Sequence, residues 1–344
     1  MTTRAPSSAK RRTVPSPIPL APPVMTATLP SSLPMEPSAK LSAGVYGMEA
    51  WPVAAGGTIG VVNWVDAHTH LFSPSQREAR GEIAERDRTF AEMYGSPEAK
   101  MATVAELLGA LDAAEIRHAV VAGFAFADER DIEEQNGYLA EAQRCSRGRV
   151  AVVATVNPGL AGWERQARQA LDAGAVGFGE LRPHNQGWEP LEPAGRALCG
   201  LARDAGAVLL WHVSEPVGHG YPGKEGGISP VELCRVATEF PGVKMVGAHL
   251  GGGLAYYLQM PEVKAAIENV YFDTAAATLL YDEQSVARLV DLAGPGRVIF
   301  GSDYPLLSPR RQLQRLLGQL PGDVAKQVCG GNAERLFRIA TTHE

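Results

Sequence analysis

From about residue 60 onward, short apolar runs alternate with longer amphipathic stretches. The apolar runs cover 61–66, 118–122, 150–155, 176–180, 208–213, 243–247, 270–273 and 298–301. They are rich in Val, Ala and Ile with little polar alternation, the pattern of strands buried on both faces. The intervening periodicity predicts helices over 103–114, 129–146, 161–173, 193–205, 229–239, 253–267 and 282–293, with another over 308–318. In the first of these, Val104, Leu107, Leu108 and Leu111 fall at helical spacing behind Thr103, a residue type that caps helices. Eight strand–helix units predict an α/β fold of the (β/α)8, or TIM, barrel type. An open doubly wound sheet would place a glycine-rich nucleotide turn after an early strand. Here the first strand leads to His68 and His70. The glycine cluster Gly251-Gly252-Gly253 follows the sixth strand and lacks the lysine of a phosphate loop.

The rhythm is absent from the start of the chain. Residues 1–40 hold nine of the 25 prolines, mixed with Ser, Ala and Thr. Such a segment cannot bury enough surface to offset its ordering entropy, so residues 1–55 are expected to be a disordered extension and 56–344 the barrel. Arg11-Arg12 resembles the start of an export signal, but the following "TVPSPIPLAPPV" is broken by proline and makes a poor apolar core. A cytoplasmic protein is therefore expected. The net charge of −6 gives no reason to expect nucleic acid or an acidic membrane as partner. No apolar run reaches the roughly 18 residues of a membrane span. The four cysteines are far apart and form no CxxC pair, so reduced thiols are expected. The expected partner is a small-molecule substrate; a homo-oligomer is left open.

In a barrel the catalytic side chains come from the carboxyl ends of the strands. The first strand leads through Asp66 to His68 and His70, which share one face because residues i and i+2 of an extended chain point the same way. The fourth ends at Glu180, followed by Arg182 and His184; the fifth at His212, with Glu215 beyond it; the sixth at His249. The seventh ends at Asp273 and Thr274, and the eighth at Ser302 and Asp303. Alone, each has a structural explanation. Together they gather four of the eight histidines with several carboxylates around one mouth, the donor set of zinc and similar ions.

The ordered set "VDAHTHLF", His212, "GAHLGGG", "RVIFGSDYP" and "GGNAERLF" resembles the amidohydrolase superfamily of metal-dependent barrels over residues 61–340. More narrowly it resembles the branch that includes aminocarboxymuconate-semialdehyde decarboxylase. The resemblance implies that His68 and His70 bind metal from the first strand, with His212 and Asp303 as the ligands from strands five and eight. His249 would ligate a second ion or polarise substrate. Glu180 is a departure from the decarboxylase-like branch: it stands where two-metal relatives place a bridging carboxylate, so one or two ions, with Zn2+ as the expected metal, both remain open.

The expected chemistry is hydrolysis of an amide, lactone or ester-like bond by metal-activated water, with Asp303 as general base and His249 as polariser. The alternative is non-oxidative decarboxylation of an aromatic or muconate-like acid, which needs a cationic anchor. Asp66 would orient a ligand histidine or pack beneath it. Arg182 after strand four, and Tyr221 and Lys224 in the loop after strand five, are the candidate substrate-binding residues, with His184 and His219 nearby. The long connection 71–100 is expected to be partly helical and to cover the mouth.

Overall fold

A computed structural model describes residues 63–340. The expected disordered extension, 1–55, lies outside the described residues, as does the start of the expected barrel domain at 56–62. Eight parallel strands follow one another in order around a barrel: β1 (Val65–His70), β2 (His118–Ala122), β3 (Val150–Ala154), β4 (Gly177–Leu181), β5 (Val208–Trp211), β6 (Met245–Gly247), β7 (Val270–Asp273) and β8 (Val298–Ile299). Closure is made beside β8, where the Ala67 N–H donates to Phe300 O at 2.8 Å and the His70 N–H to Tyr304 O at 2.7 Å.

The apolar runs divide between two faces. Val120, Ala122, Val153, Leu210, Val246 and Ile299 pack together with Ala333, Leu336 and Phe337 of the C-terminal helix Asn332–Phe337. Their alternate neighbours Ala119, Val121, Val152 and Leu209 join Leu107, Leu111 and Leu139 of the outer helices. Each strand is thus buried twice, which is why its sequence lacks polar alternation. Among the described residues no helix is long and apolar enough to cross a membrane.

Several boundaries shift by two or three residues, and two elements differ more. Among the described residues the first strand runs over Val65–His70, past the expected end at 66, so both histidines lie within it. The helix expected over 253–267 is a 3-10 turn, Leu254–Gln259, followed by a short helix, Pro261–Ala266. Pro261 cannot continue the preceding turn, because it has no N–H and its ring occupies the place of the earlier carbonyl.

Between β1 and the helix Val104–Ala114 the chain makes three short helices: α1 (Pro74–Glu78), α2 (Arg80–Arg86) and α3 (Arg88–Tyr94). Ser73 and Gln76 form a capping box on α1, and the Asp87 carboxylate caps α3 by accepting from the Phe90 N–H at 2.8 Å. Arg86 pairs bidentately with Asp131 of the helix Glu129–Cys145, at 2.9 and 2.6 Å. Phe90 is fully buried, with its ring 5.5–6.0 Å from those of Phe72, Tyr94, Phe124 and Phe126. Phe90→Ala would empty this cluster. The expected cost is about 3–5 kcal/mol, read as a fall of about 10 °C in melting temperature by circular dichroism; an unchanged melting curve would show that α3 does not depend on the cluster.

Candidate active site

The strand ends bring His68, His70, Glu180, His212, His249 and Asp303 to one centre, all buried or nearly so. His68 Nε2 and His70 Nε2 are 3.1 Å apart, as the shared face of β1 requires. Glu180 Oε2 lies 3.9 Å from the first and 3.7 Å from the second, and Asp303 Oδ1 lies 3.4 Å from His70 Nε2. The other Glu180 oxygen, Oε1, is 2.7 Å from His212 Nδ1 and 3.2 Å from His249 Nε2, and these two nitrogens are 3.1 Å apart. Two three-residue sets therefore share Glu180: one with His68 and His70, one with His212 and His249, each with donor atoms within 4.8 Å of one another.

The ring orientations have local causes. His68 Nδ1 donates to Asp273 Oδ2 at 2.7 Å, which leaves Nε2 to face the centre. The other Asp273 oxygen accepts from the backbone N–H of His249 at 2.9 Å, so one carboxylate aligns a residue of β1 and one of the turn after β6. His249 Nδ1 donates to Ala275 O at 3.1 Å, again freeing Nε2. After β6 the backbone turns left-handed, with φ of 57° at His249 and Leu250 and 58–90° at Gly251, Gly252 and Gly253. A side chain at Gly251 would meet the Phe272 ring at 2.8 Å, so the glycine cluster belongs to the turn that presents His249. Asp303 is also left-handed, at φ 62°, and its N–H donates to His68 O at 3.0 Å. Asp66 lies deeper. It braces the backbone rather than a ring, since Oδ1 accepts from the Ser302 N–H at 2.9 Å.

Burial would neutralise Glu180, Asp303, His68 and His249, but their mutual charges oppose it; His212 is instead lowered to about 4 by burial and the charge of Arg182. Burial pushes the Glu180 carboxyl up, yet His212, His249 and His68 hold it well below the usual range. Burial likewise raises Asp303, while the hydrogen bond to His70 and the charges of His68 and His249 bring it down to about 2. Desolvation would lower His68, but Asp273, Glu180 and Asp303 push it up to about 10. His249 is raised to about 9, mainly by Glu180 working against burial. The carboxylates thus call for positive charge between the imidazoles, which suits a cation held by this donor set. Asp66 shows the opposite case: burial lifts it to about 7 despite its hydrogen bonds to Ser302.

Above the centre lies a cavity of about 450 Å³, within the range of small-molecule sites, about 300–1,000 Å³. Arg182 lines it and is only 2% exposed. Its Nη2 donates to the carbonyls of Gly223 and Glu225, both at 2.6 Å, while Nε and Nη1 have no hydrogen-bond partner among the described residues. Tyr221 also lines the cavity, with its hydroxyl donating to Glu215 at 2.9 Å. Lys224 departs from expectation. Its ammonium donates to the carbonyls of Val217 and His219, at 2.7 and 2.9 Å, and so closes its own loop instead of facing the cavity. His184 also stands apart, paired with Glu232 at 3.0 Å and Glu189 at 3.4 Å. The long connection does supply cavity wall, through Met93, Tyr94 and residues 98–100. Tyr94 was not singled out from the sequence; its spacing of four from Phe90, on an otherwise charged stretch, is the signal that could have found it.

An eight-stranded barrel carrying a histidine–carboxylate centre at its strand ends defines the class. Residues 65–339 match the amidohydrolase family, and the chain belongs to that family. Among curated proteins it is similar to the 6-methylsalicylic acid decarboxylase of Penicillium expansum, at 29% identity over 167 residues, 38% of this chain and 50% of that protein. The match thus spans half the length of that relative. Among solved structures it is similar to the 5-carboxyvanillate decarboxylase of Sphingomonas paucimobilis, at 16% identity and a TM-score of 0.66, covering 81% of this chain and 100% of the other. The 5-carboxyvanillate decarboxylase of Novosphingobium aromaticivorans, solved with manganese and 4-hydroxy-3-methoxy-5-nitrobenzoic acid, matches at 17% identity and a TM-score of 0.65, covering 82% and 97%. At these identities the two structures show a shared fold.

Proposed function

We propose that this chain is a metal-dependent non-oxidative decarboxylase of a small aromatic carboxylic acid. The observation that carries this reading is Arg182, a buried cation with two unpartnered nitrogen positions, lining the cavity above the histidine–carboxylate centre. It supplies the anchor that a carboxylate substrate needs. The curated relative, whose printed activity is decarboxylation of an aromatic acid, favours this over the hydrolysis expected from the sequence.

His68, His70, Glu180 and Asp303 would hold one divalent ion, and Glu180, His212 and His249 could hold a second. When bound, such an ion supplies Lewis-acid polarisation of substrate oxygens. Mn2+ is the metal in the Novosphingobium aromaticivorans structure and in other structural neighbours, and Zn2+ remains compatible with the donor set. Asp303, held ionised, accepts a proton from the substrate hydroxyl or solvent. It returns that proton to the ring carbon as the bond to the carboxyl breaks, and CO2 leaves. The apolar wall, with Phe124 and Leu280 among its members, excludes water from that carbon.

A second reading rests on Glu180. A carboxylate with one oxygen toward each histidine pair is the arrangement of a bridged two-ion centre, which suits hydrolysis of a lactone or amide. One assay separates the two. Metal-loaded protein is offered 6-methylsalicylate, other hydroxybenzoates and a set of lactones and amides, with CO2 and ring absorbance followed. CO2 release is expected, abolished by a chelator and restored by Mn2+ or Zn2+. Opening of a lactone or amide without any CO2 from the acids would overturn decarboxylation in favour of hydrolysis.

A further inference from the structure

Tyr94 belongs to no strand and to neither histidine set, yet it lines the cavity beside His70, Glu180, Arg182 and Asp303. Its ring is fixed from behind by Phe72, Phe90 and Phe124, with centroids 4.7, 5.5 and 5.7 Å away. The helix that carries it, α3, is capped by Asp87. The Tyr94 hydroxyl has no hydrogen-bond partner among the described residues, whereas the other tyrosine at this cavity, Tyr221, has its hydroxyl engaged by Glu215. Tyr94 is only partly buried, so its hydroxyl is open to a ligand in the cavity.

Arg182 is in the same position. Nη2 is occupied by the two loop carbonyls, and Nε and Nη1 are not. A phenol at neutral pH has a proton to donate and a guanidinium has only donors. A buried guanidinium with free donor positions and an unpartnered phenol at one cavity suit an acceptor that carries negative charge.

We propose that Tyr94 and Arg182 together grip the carboxylate of the substrate, so that the cavity selects ring acids over neutral compounds of the same shape. The aromatic ring in this statement rests on the decarboxylase reading; the negative charge does not. Tyr94 is then a substrate-binding residue contributed by the long first connection, outside the strand ends where such residues are sought.

The test is direct binding of two probes, salicylate and its neutral counterpart salicylamide, to metal-loaded protein by calorimetry. Wild-type protein is expected to prefer salicylate. Tyr94→Phe keeps the ring and its packing, so its circular dichroism and melting temperature should match wild type. Its affinity for salicylate should fall about 10- to 100-fold, the worth of a hydrogen bond to a charged group, while salicylamide binding moves less than twofold. Unchanged salicylate affinity in the variant, an equal loss for both probes, or no salicylate binding by wild type would each overturn the proposal. Tyr94-dependent salicylate binding in a protein that releases no CO2 would support it while counting against decarboxylation.

Discussion

Asp303→Asn is expected to lower turnover by about 10²–10⁴-fold, the range of a lost general acid–base group, with folding intact. The substitution is nearly isosteric, and asparagine tolerates the left-handed backbone that Asp303 adopts at φ 62°. The backbone hydrogen bond from residue 303 to His68 O survives, because it uses the main chain. What is lost is the charge 3.4 Å from His70 Nε2 and the capacity to take and return a proton. The measurement is kcat on whichever substrate the CO2 and ring-opening assay identifies, beside a melting curve within a few degrees of wild type. Turnover close to wild type would remove Asp303 from the reaction under either chemistry.

Glu180→Gln should be as damaging by a different route. The two Glu180 oxygens face different histidine pairs, and glutamine retains the shape but removes the charge that both pairs share. Removing one member of a buried charge network leaves the others uncompensated. The expected result is lower metal content than wild type by inductively coupled plasma analysis. Metal affinity should weaken by more than about 100-fold, since even residues that only orient ligands account for 10–100-fold. Turnover should fall with it. If metal content and turnover both hold, Glu180 merely orients His212 through their 2.7 Å contact.

Much of the barrel was readable because burial on both faces leaves a plain mark on a strand: an unbroken Val/Ala/Ile run. The same mark misled at the first strand. Apolarity signals burial rather than extension, so the reading stopped at residue 66 although the strand continues through the histidines. Spacing placed the two histidines on one face, since i and i+2 point the same way, but they became readable as a centre only together with Glu180, His212, His249 and Asp303 from the other strand ends. Asp273 was not. Its role depends on reaching His68 and His249 at once, across 205 and 24 residues of sequence, which no local pattern encodes. Lys224 was misjudged for a related reason: a lysine in a glycine-rich loop can turn back onto its own carbonyls, and only the folded loop shows it. Tyr94 escaped because it lies in a connection, away from any strand end.

The strap after β5 is tied down by its main chain. Arg182 grips the carbonyls of Gly223 and Glu225, Glu92 takes the Gly223 N–H at 3.0 Å, and the Ser214 hydroxyl donates to the carbonyl of Lys224. Peptide groups are the same whatever side chains they bear. Gly223 and Gly226, at φ 82° and 92°, constrain the course of the strap, while its side chains at 219 and 221 form cavity wall. Arg182 is therefore shared between the two tasks, lining the cavity and holding the strap, whereas the side chains at 219 and 221 are not part of the clasp. Exchange of His219 or Tyr221 would reshape the cavity wall and leave the clasp closed, while any change at Arg182 would loosen the strap and alter the cavity together.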